Sequence, residues 1–420
     1  MPELITGNEA QYALDIVKRI CAEVGPGVPG SPQERRRAAI IQRELESHLG
    51  PENVAVEEFT LAPGAFLSAY PVSAVFMLAA ALLNVSAGRI SGVSPWLTAT
   101  AALVFSVASP VLFICQFVLF RELVDPLLRK GQSVNVIGTL RRPGAANARR
   151  LLIISGHHDS APQNTWLSLL GYGFLVLAGT QYIGFATMLV MSIMQLAGVI
   201  AGNAGLVRTG TLGWVLMAYP VVPAVVYAMF FSQRGKNGGT VPGAADNLSA
   251  SALAVAMCRF LVKHPSYIPA DTEIRFISFG SEEAGLRGSR RYVKRHLDEL
   301  KRLDVRLLNI ETVAHPEAGI LTSDMNGSVK NSPEMVRGVV AAAARAGVPY
   351  RVLSAFLGVG NDSGPFSQAG LKALTLLCFK VPQQLIAFYH QKRDRPGILT
   401  TEPLLNVLKL TFEWIRNGGQ

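Results

Sequence analysis

Short apolar runs alternate along this chain with segments in which charged and apolar residues recur at helical spacing, and two long stretches without charge interrupt the alternation. Residues 34–48, ERRRAAIIQRELESH, carry the helical pattern and are stopped by Gly50 and Pro51. The N-terminal MPELITGNEAQYALDIVKRICAEV reads as an amphipathic helix and lacks the apolar run of an export signal. VAVEEFTL at 54–61, SVNVIGTL at 133–140 and LLIISGHHDS at 151–160 read as strands, the last two separated by a Pro-Gly turn region. Beyond residue 240 the runs EIRFISFGS (273–281), VRLLNIETV (305–313) and LKALTLLCF (371–379) are strands separated by helical patterns. This alternation predicts an α/β fold: a mostly parallel mixed sheet with helices on both faces, with ligands bound at the carboxyl ends of strands.

The uncharged stretches do not fit that scheme. One runs from Phe59 to Arg89 and resumes from Ile90 to Phe120; another runs from Ser160 to Val207 and resumes, after Arg208, from Thr211 to Ser232. A membrane-spanning helix needs about 20 apolar residues, so each stretch is expected to form a transmembrane hairpin. The spans are placed at 67–88, 95–120, 179–201 and 211–231, with 166–178 lying along the interface. Polar segments that fold together must share one side of the membrane, which requires an even number of crossings per insertion. The expected organisation is a water-soluble domain assembled from 1–66, 121–165 and 233–420, with hairpins at 67–120 and 166–232.

Composition agrees with a chain partly in lipid, since 50% of its 420 residues are hydrophobic and only 16% charged. The net charge of +10 is scattered and accompanies no nucleic-acid-binding motif, so a lipid bilayer rather than nucleic acid is the expected partner. Cys21, Cys115, Cys258 and Cys378 lie far apart, with neither zinc-finger nor disulfide spacing, which suits a reducing compartment. The hairpin loops carry only Arg89 or Arg208, whereas the polar flanks carry Arg121, Arg129, Lys130, Arg234 and Lys236; this bias favours a multi-pass protein with its water-soluble domain in the cytoplasm. The Arg35–Arg37 triplet is read as a solvated helix face, and His48, His264, His296 and His315 as surface or packing residues.

The candidate chemistry gathers where the apolar runs stop. His157 and Asp159 follow LLIISG, Glu282 and Glu283 follow FISFGS, and Glu311 follows LLNI, while Asp246 lies in the GAADN loop and His390 in FYHQKRD. Imidazole nitrogen and carboxylate oxygen together suit zinc, and a carboxylate-rich site can hold two ions with one carboxylate bridging. A neighbouring carboxylate that is not a ligand can take a proton from water and return it to a leaving amine.

The motifs SGHHDS, GAADNLSAS, SEEAGLRGS, NIE, NDSGPF and YHQKRD resemble, in order and approximate spacing, those of the M28 family of zinc aminopeptidases and carboxypeptidases, and PGVPGSPQERRRAAIIQRELESH is similar to the family's N-terminal part. The resemblance implies a zinc exopeptidase acting on peptides, with aminopeptidase the expected class; the uncharged stretches make it a membrane-inserted member, and their closeness in the chain to His157 and Asp246 leads to an expectation of apolar or membrane-associated substrates. It implies one ion on His157, Asp246 and Glu311 and another on Asp246, Glu283 and His390. Asp246 would bridge, Glu282 would be the general base, and Asp159 would orient His157. Asp362 falls where family members keep an acid near the site. The chain departs from the family at Glu311, usually aspartate, and at His158, a second histidine beside His157. The longer Glu311 leaves open a single-zinc site like that of the glutaminyl cyclases, and a non-catalytic membrane scaffold is the alternative outside enzymes. Short tethers from His157 and Asp246 to the uncharged segments lead to an expectation that the site faces the membrane.

Overall fold

In a computed structural model, residues 5–89, 91–142, 148–208, 239–355 and 358–420 are described. In chain order, helices α1 (Gly7–Glu23) and α2 (Pro32–Leu49) precede strand β1 (Val54–Leu61) and helices α3 (Ala69–Ser86) and α4 (Pro95–Phe113). Strands β2 (Gly131–Arg141) and β3 (Arg150–His157) are followed by helices α5 (Thr165–Leu170) and α6 (Tyr172–Ile200). Then come α7 (Ser249–Lys263), β4 (Thr272–Phe279), α8 (Arg287–Arg302), β5 (Asp304–Glu311), β6 (Ala318–Leu321) and the small hairpin β7 (Ser323–Asp324) and β8 (Val329–Lys330). The chain ends with α9 (Pro333–Ala346), β9 (Tyr350–Leu353), α10 (Ser363–Gln368), β10 (Lys372–Leu377), α11 (Gln383–Ala387) and α12 (Thr401–Arg416).

These elements form two compact units, one of residues 1–63, 129–163 and 240–420, the other of 64–128 and 164–239. In the first unit eight strands form one sheet in the order β1-β2-β4-β3-β5-β10-β6-β9. Its central strands β4, β3, β5 and β10 are mutually parallel, whereas β1–β2, β2–β4 and β6–β10 pair antiparallel. Strand β3 reads LLIISG because both faces of a central parallel strand are covered, and its residues from Leu151 to His157 are buried. Helices α1, α2, α7, α9 and α12 pack into the apolar core on one face; α8 and α10 contribute to a smaller core on the other. Gly156 allows α7 to lie directly on β3, since a Cβ there would come within 2.5 Å of the Ala250 Cβ. The helix starts are set by their own sequence: Thr6 and Glu9 form a reciprocal cap on α1, and Ser31 with Pro32 begins α2.

The registers line up the strand ends that matter. His157 lies opposite Phe279, the last residue of β4, and Ser155 lies opposite Asn309, two residues before β5 ends at Glu311. Three neighbouring parallel strands therefore deliver their last residues to one rim, where ligands bind in open α/β sheets.

The second unit contains α3, α4 and α6, and α4 runs on through a wider turn to Val118. The helices over 69–86, 95–118 and 172–200 are each long and apolar enough to cross a membrane. A fourth such helix, 244–263, is 89% buried within the first unit and includes α7, so its apolarity belongs to the protein core. The expected interfacial segment 166–178 is divided differently: Gly171 adopts φ 52° and ends α5, and Tyr172 begins a continuous 29-residue helix. No charge or proline interrupts 172–200, so the helix extends seven residues before the expected start at 179. The expected span at 211–231 lies outside the described residues.

Candidate metal centre

The centre begins at the end of β3. His157 leaves the sheet fully buried, and Asp159, two residues on, accepts the backbone amides of Glu282 at 3.1 Å and Glu283 at 3.0 Å. The same carboxylate stands 3.2 Å from His157 Nδ1. A proton on Nδ1 would face Asp159 and leave Nε2 to ligate, the usual arrangement of a metal-binding histidine. One short acid thus fixes both the ring and the loop carrying the paired glutamates. That loop turns at Ser281, whose φ of 53° is uncommon for a residue with a side chain.

Around His157 Nε2 lie Asp246 Oδ1 and Glu311 Oε1, each at 3.4 Å, and Glu282 Oε2 at 3.7 Å. The other Asp246 oxygen, Oδ2, stands 3.2 Å from His390 Nε2, which is also 3.3 Å from Glu283 Oε1. Two triads of potential ligands result, His157–Asp246–Glu311 and Asp246–Glu283–His390, with ligand atoms within 4.8 Å of one another in each. Asp246 belongs to both and offers a different oxygen to each. Glu282 falls with His157 and Glu283 in a further triad of the same spacing.

The donor set fits zinc. Asp246 Oδ2, Glu283 Oε1 and Glu311 Oε2 are buried without an aligned hydrogen bond. Unpaired buried carboxylate oxygens are costly, and a divalent cation would satisfy them. Nitrogen and oxygen ligands at zinc distances of about 2 Å are compatible with this spacing.

Crowding shifts every titration in the cluster. Burial pulls the His157 imidazole down, but Glu311, Glu282 and Asp159 overcome it and hold the ring well above the ordinary histidine range. His390 is likewise pulled down by burial, yet Glu283 and Asp246 push it up to about 10. Burial lifts Glu311 to about 7 and Glu282 well above the usual carboxylate range, in each case against the pull of His157. The Asp246 carboxyl is raised by burial and lowered by bonds to His157 and His390; the histidines win and hold it well below the ordinary range.

His158 takes no part in the triads. Its Nδ1 shares a 2.9 Å hydrogen bond with the Ser278 hydroxyl, and burial lowers the ring to about 4. Asp362 is buried beside the cluster, and burial raises it to about 8 against the pull of His157.

The residues that brace the site are largely ones that pattern reading passes over. Arg37 is not part of a solvated face. It is completely buried and donates to the Gly25 and Pro242 carbonyls, each at 2.6 Å, and to the His158 carbonyl at 3.1 Å. Its neighbours Arg35 and Arg36 are exposed, so the triplet divides between solvent and core along a single turn. Glu34 Oε1 accepts the Ser281 amide and hydroxyl, each at 2.7 Å, at the base of the glutamate loop. Asp394, four residues after His390, accepts the amides of Ala245 at 2.7 Å and Asp246 at 3.1 Å. Between the Pro242 and Asp394 clamps, Gly243 takes φ 66° where a Cβ would lie 2.8 Å from the Ser160 Cβ. Asn247 donates to the Ile310 carbonyl at 2.9 Å and accepts the Thr312 amide at 3.1 Å, which holds Glu311 from both sides. The ERRRA spacing contains the signal for Glu34 and Arg37, since both lie on the inward side of α2 with Ile41.

Residues 230–415 match the model of peptidase family M28. Aminopeptidase YwaD of Bacillus subtilis (strain 168) is 35% identical over 169 residues, which make up 39% of this chain and 35% of the relative's length. A zinc aminopeptidase from Bacillus subtilis matches with a TM-score of 0.52 at 16% identity, over 96% of this chain and 94% of that one. Fimbriiglobus ruber glutaminyl cyclase matches with a TM-score of 0.54 at 13% identity, over 97% of this chain and 94% of that one. At such identities the structural likeness speaks for the fold alone, and an α/β fold of this kind carries more than one chemistry. The likeness to peptidase family M28 in sequence therefore spans residues 230–415, and the solved zinc aminopeptidase adds a likeness of fold over nearly the whole chain.

Proposed function

We propose that the chain is a membrane-bound, zinc-dependent exopeptidase, an aminopeptidase, that cleaves peptide bonds with a water activated between two metal ions. The supporting observation is Asp246, whose two oxygens address His157 on one side and His390 on the other. His157, Asp246 and Glu311 would hold one ion and Asp246, Glu283 and His390 the other. The ions would polarise the scissile carbonyl and acidify a bound water. Glu282, held at its backbone by Asp159, is then free to accept the proton from that water and return it to the departing amine. Asp159 keeps His157 in the ligating tautomer.

Removing a general acid–base group lowers turnover by about 10²- to 10⁴-fold. Glu282→Gln in the zinc-loaded chain is expected to lose hydrolysis of an aminoacyl and peptide panel on that scale while retaining its zinc. Undiminished hydrolysis would remove Glu282 from the mechanism.

The longer side chain of Glu311, together with the likeness of fold to Fimbriiglobus ruber glutaminyl cyclase, supports a second reading: a single-zinc aminoacyl transferase of the glutaminyl cyclase type. One zinc per chain together with cyclisation of peptides beginning with glutamine would decide for it, whereas two zinc ions and hydrolysis decide for the peptidase. A non-catalytic scaffold would bind no zinc tightly.

The membrane attachment rests on the three long apolar helices of the second unit, and the excess of Arg and Lys in the polar flanks favours a cytoplasmic catalytic unit. Preference for apolar or membrane-associated peptides follows from chain connectivity. His157 stands seven residues before Asn164, where the chain re-enters the second unit. Equal rates on soluble and bilayer-anchored versions of one peptide would count against this preference.

A further inference from the structure

After α4 the chain leaves the apolar stretch through a loop whose composition and build do not suit water. Leu127 is 83% exposed, Leu123 52% and Leu128 36%, all within the segment RELVDPLLRK at 121–130. The loop is rigidly held. Gln116, completely buried at the end of the preceding helix, accepts the amides of Leu123 at 2.8 Å and Val124 at 3.3 Å, and donates to Asp125 Oδ2 at 3.2 Å and to the Ala65 carbonyl at 3.0 Å. Beneath it Phe66 stacks on Phe117 and Phe120, and Phe120 turns the chain with φ 54°. With its base fixed in this way, the segment has no local means of turning its leucines inward. A built loop that presents large apolar side chains calls for an apolar partner.

We propose that residues 121–130 are an interfacial anchor, with Leu123, Leu127 and Leu128 entering the acyl boundary of a phospholipid bilayer and Arg121 and Arg129 meeting the headgroup phosphates. The proposal rests on the membrane reading of the apolar helices. Two observations select lipid over a protein partner. The leucines follow shortly after the end of a 24-residue helix of membrane-spanning apolarity, beyond the turn at Phe120. Exposed cations, Arg121 and Arg129, bracket them, and the one acid on the outer side of the loop, Glu122, is half-buried. Basic residues with aliphatic stems suit that boundary, where stem and charge occupy different layers. Asp125 is turned inward to Gln116 and does not oppose the anionic surface.

The test places an environment-sensitive fluorophore on the full chain, at Leu127→Cys and separately at Val104→Cys, with Cys21 and Cys115 replaced by serine. Val104 is 59% exposed on α4 and serves as the membrane reference. The chain is reconstituted in phosphatidylcholine vesicles with and without phosphatidylglycerol, and emission is quenched by nitroxide lipids or by aqueous iodide. The expected result is a blue-shifted label at 127 that loses emission to nitroxide near the headgroup and is protected from iodide. The label at 104 should lose emission to nitroxide near the chain ends. Phosphatidylglycerol should increase the loss at 127, and Arg121→Gln with Arg129→Gln should abolish that increase. Iodide quenching at 127 with lipid quenching at 104 overturns the anchor and leaves the membrane reading standing. Protection of 127 from both quenchers means a protein surface, such as a second copy, covers the loop, and also overturns it. Iodide quenching at 104 sinks the membrane reading and the anchor together.

Discussion

The two compact units bury polar side chains in opposite ways. In the metal-site unit many of the buried groups are titratable: Asp159, Asp246, Glu282, Glu311, Asp362 and Asp394 are all buried. In the long helices of the apolar unit they are neutral: Ser73 pairs with Ser109 at 2.8 Å, and Ser192 receives Asn84 at 3.1 Å and meets Ser106 at 2.6 Å. A neutral hydroxyl or amide can be satisfied by one partner on a facing helix. A carboxylate without water needs several donors or a cation, and the metal-site unit supplies backbone amides to Asp159 and Asp394 and leaves Asp246, Glu283 and Glu311 oxygens open. The neutral pairs hold helices together; the open carboxylates define a place for an ion.

The contrast is broken most severely at Arg37. Arg37→Met keeps much of the apolar stem but leaves the Gly25, His158 and Pro242 carbonyls without their donor and removes the one guanidinium that faces Glu34, Asp159 and Asp394. Breaking a buried charged network of this kind costs about 3–5 kcal/mol, read as a loss in denaturant stability of the metal-free chain. A loss below about 1 kcal/mol, the size of an ordinary substitution, would mean the buried charges are held by something other than this clamp.

Asp394→Asn tests the same network at the metal. One amide acceptor becomes a donor facing Ala245 and Asp246, so the loop carrying the shared ligand loosens. Zinc affinity, measured by competition with a chelator, is expected to fall about 10- to 100-fold, as for other residues that orient a ligand. Because Asp246 belongs to both triads, zinc held by either triad should be weakened. A lower melting temperature with unchanged zinc affinity would reduce Asp394 to a strut.

These two residues also mark how far the sequence could be read. Strands β3, β4, β5 and β10 are legible because buried parallel strands are written as continuous apolar runs, and the acids and histidine at the ends of β3, β4 and β5 stand out against that background. His157, Asp246, Glu283, Glu311 and His390 could be grouped for that reason together with the family motifs, and the geometry brings them within reach of one another. Strands β6 and β9 are four residues each and lie toward one edge of the sheet, too short for a periodic signal. Arg37 and Glu34 were hidden because composition presents them as a charged triplet and its neighbour, and only the packing of α2 distinguishes the turned-in members from Arg35 and Arg36. Asp394 was hidden because its partners are backbone amides, which leave no trace in a sequence pattern. In the apolar unit the absence of charge revealed the helices, but not that Gly171 rather than residue 178 ends the short segment before the long one.

A smaller effect sharpens the neutral side of the contrast. Ser192 is the junction of α3, α4 and α6 through Asn84 and Ser106. Hydrogen bonds between membrane helices average about 0.6 kcal/mol, so Ser192→Ala should lower stability in mixed micelles by about 1 kcal/mol. A loss comparable to that of Arg37→Met would show that neutral and charged burial are equally demanding here.

The smallest expected effect comes from charges of the metal-site unit that stand near its surface. His296 Nε2 lies 2.6 Å from Glu57 Oε1, and that hydrogen bond, against partial burial and with the charges of Glu57 and Glu299, raises the imidazole above its ordinary range. The folded chain therefore holds this proton more tightly than the unfolded chain. The contribution is fully present below the unfolded value of about 6.5 and is lost as pH rises through the higher folded one. Glu57 is itself lowered by the His296 bond and Arg295, against the opposing effect of burial, so it remains ionised across that window. The pair is only partly covered, and solvent screening limits the contribution to about 0.5 kcal/mol. Denaturant midpoints measured from about pH 6 to about pH 9 should fall slightly for the native chain, and less for His296→Gln, which can still donate to Glu57 but does not titrate. Identical slopes would assign the pH dependence elsewhere. A difference as large as the Arg37→Met loss would remove depth of burial as the property that separates structural charge from surface charge in this unit.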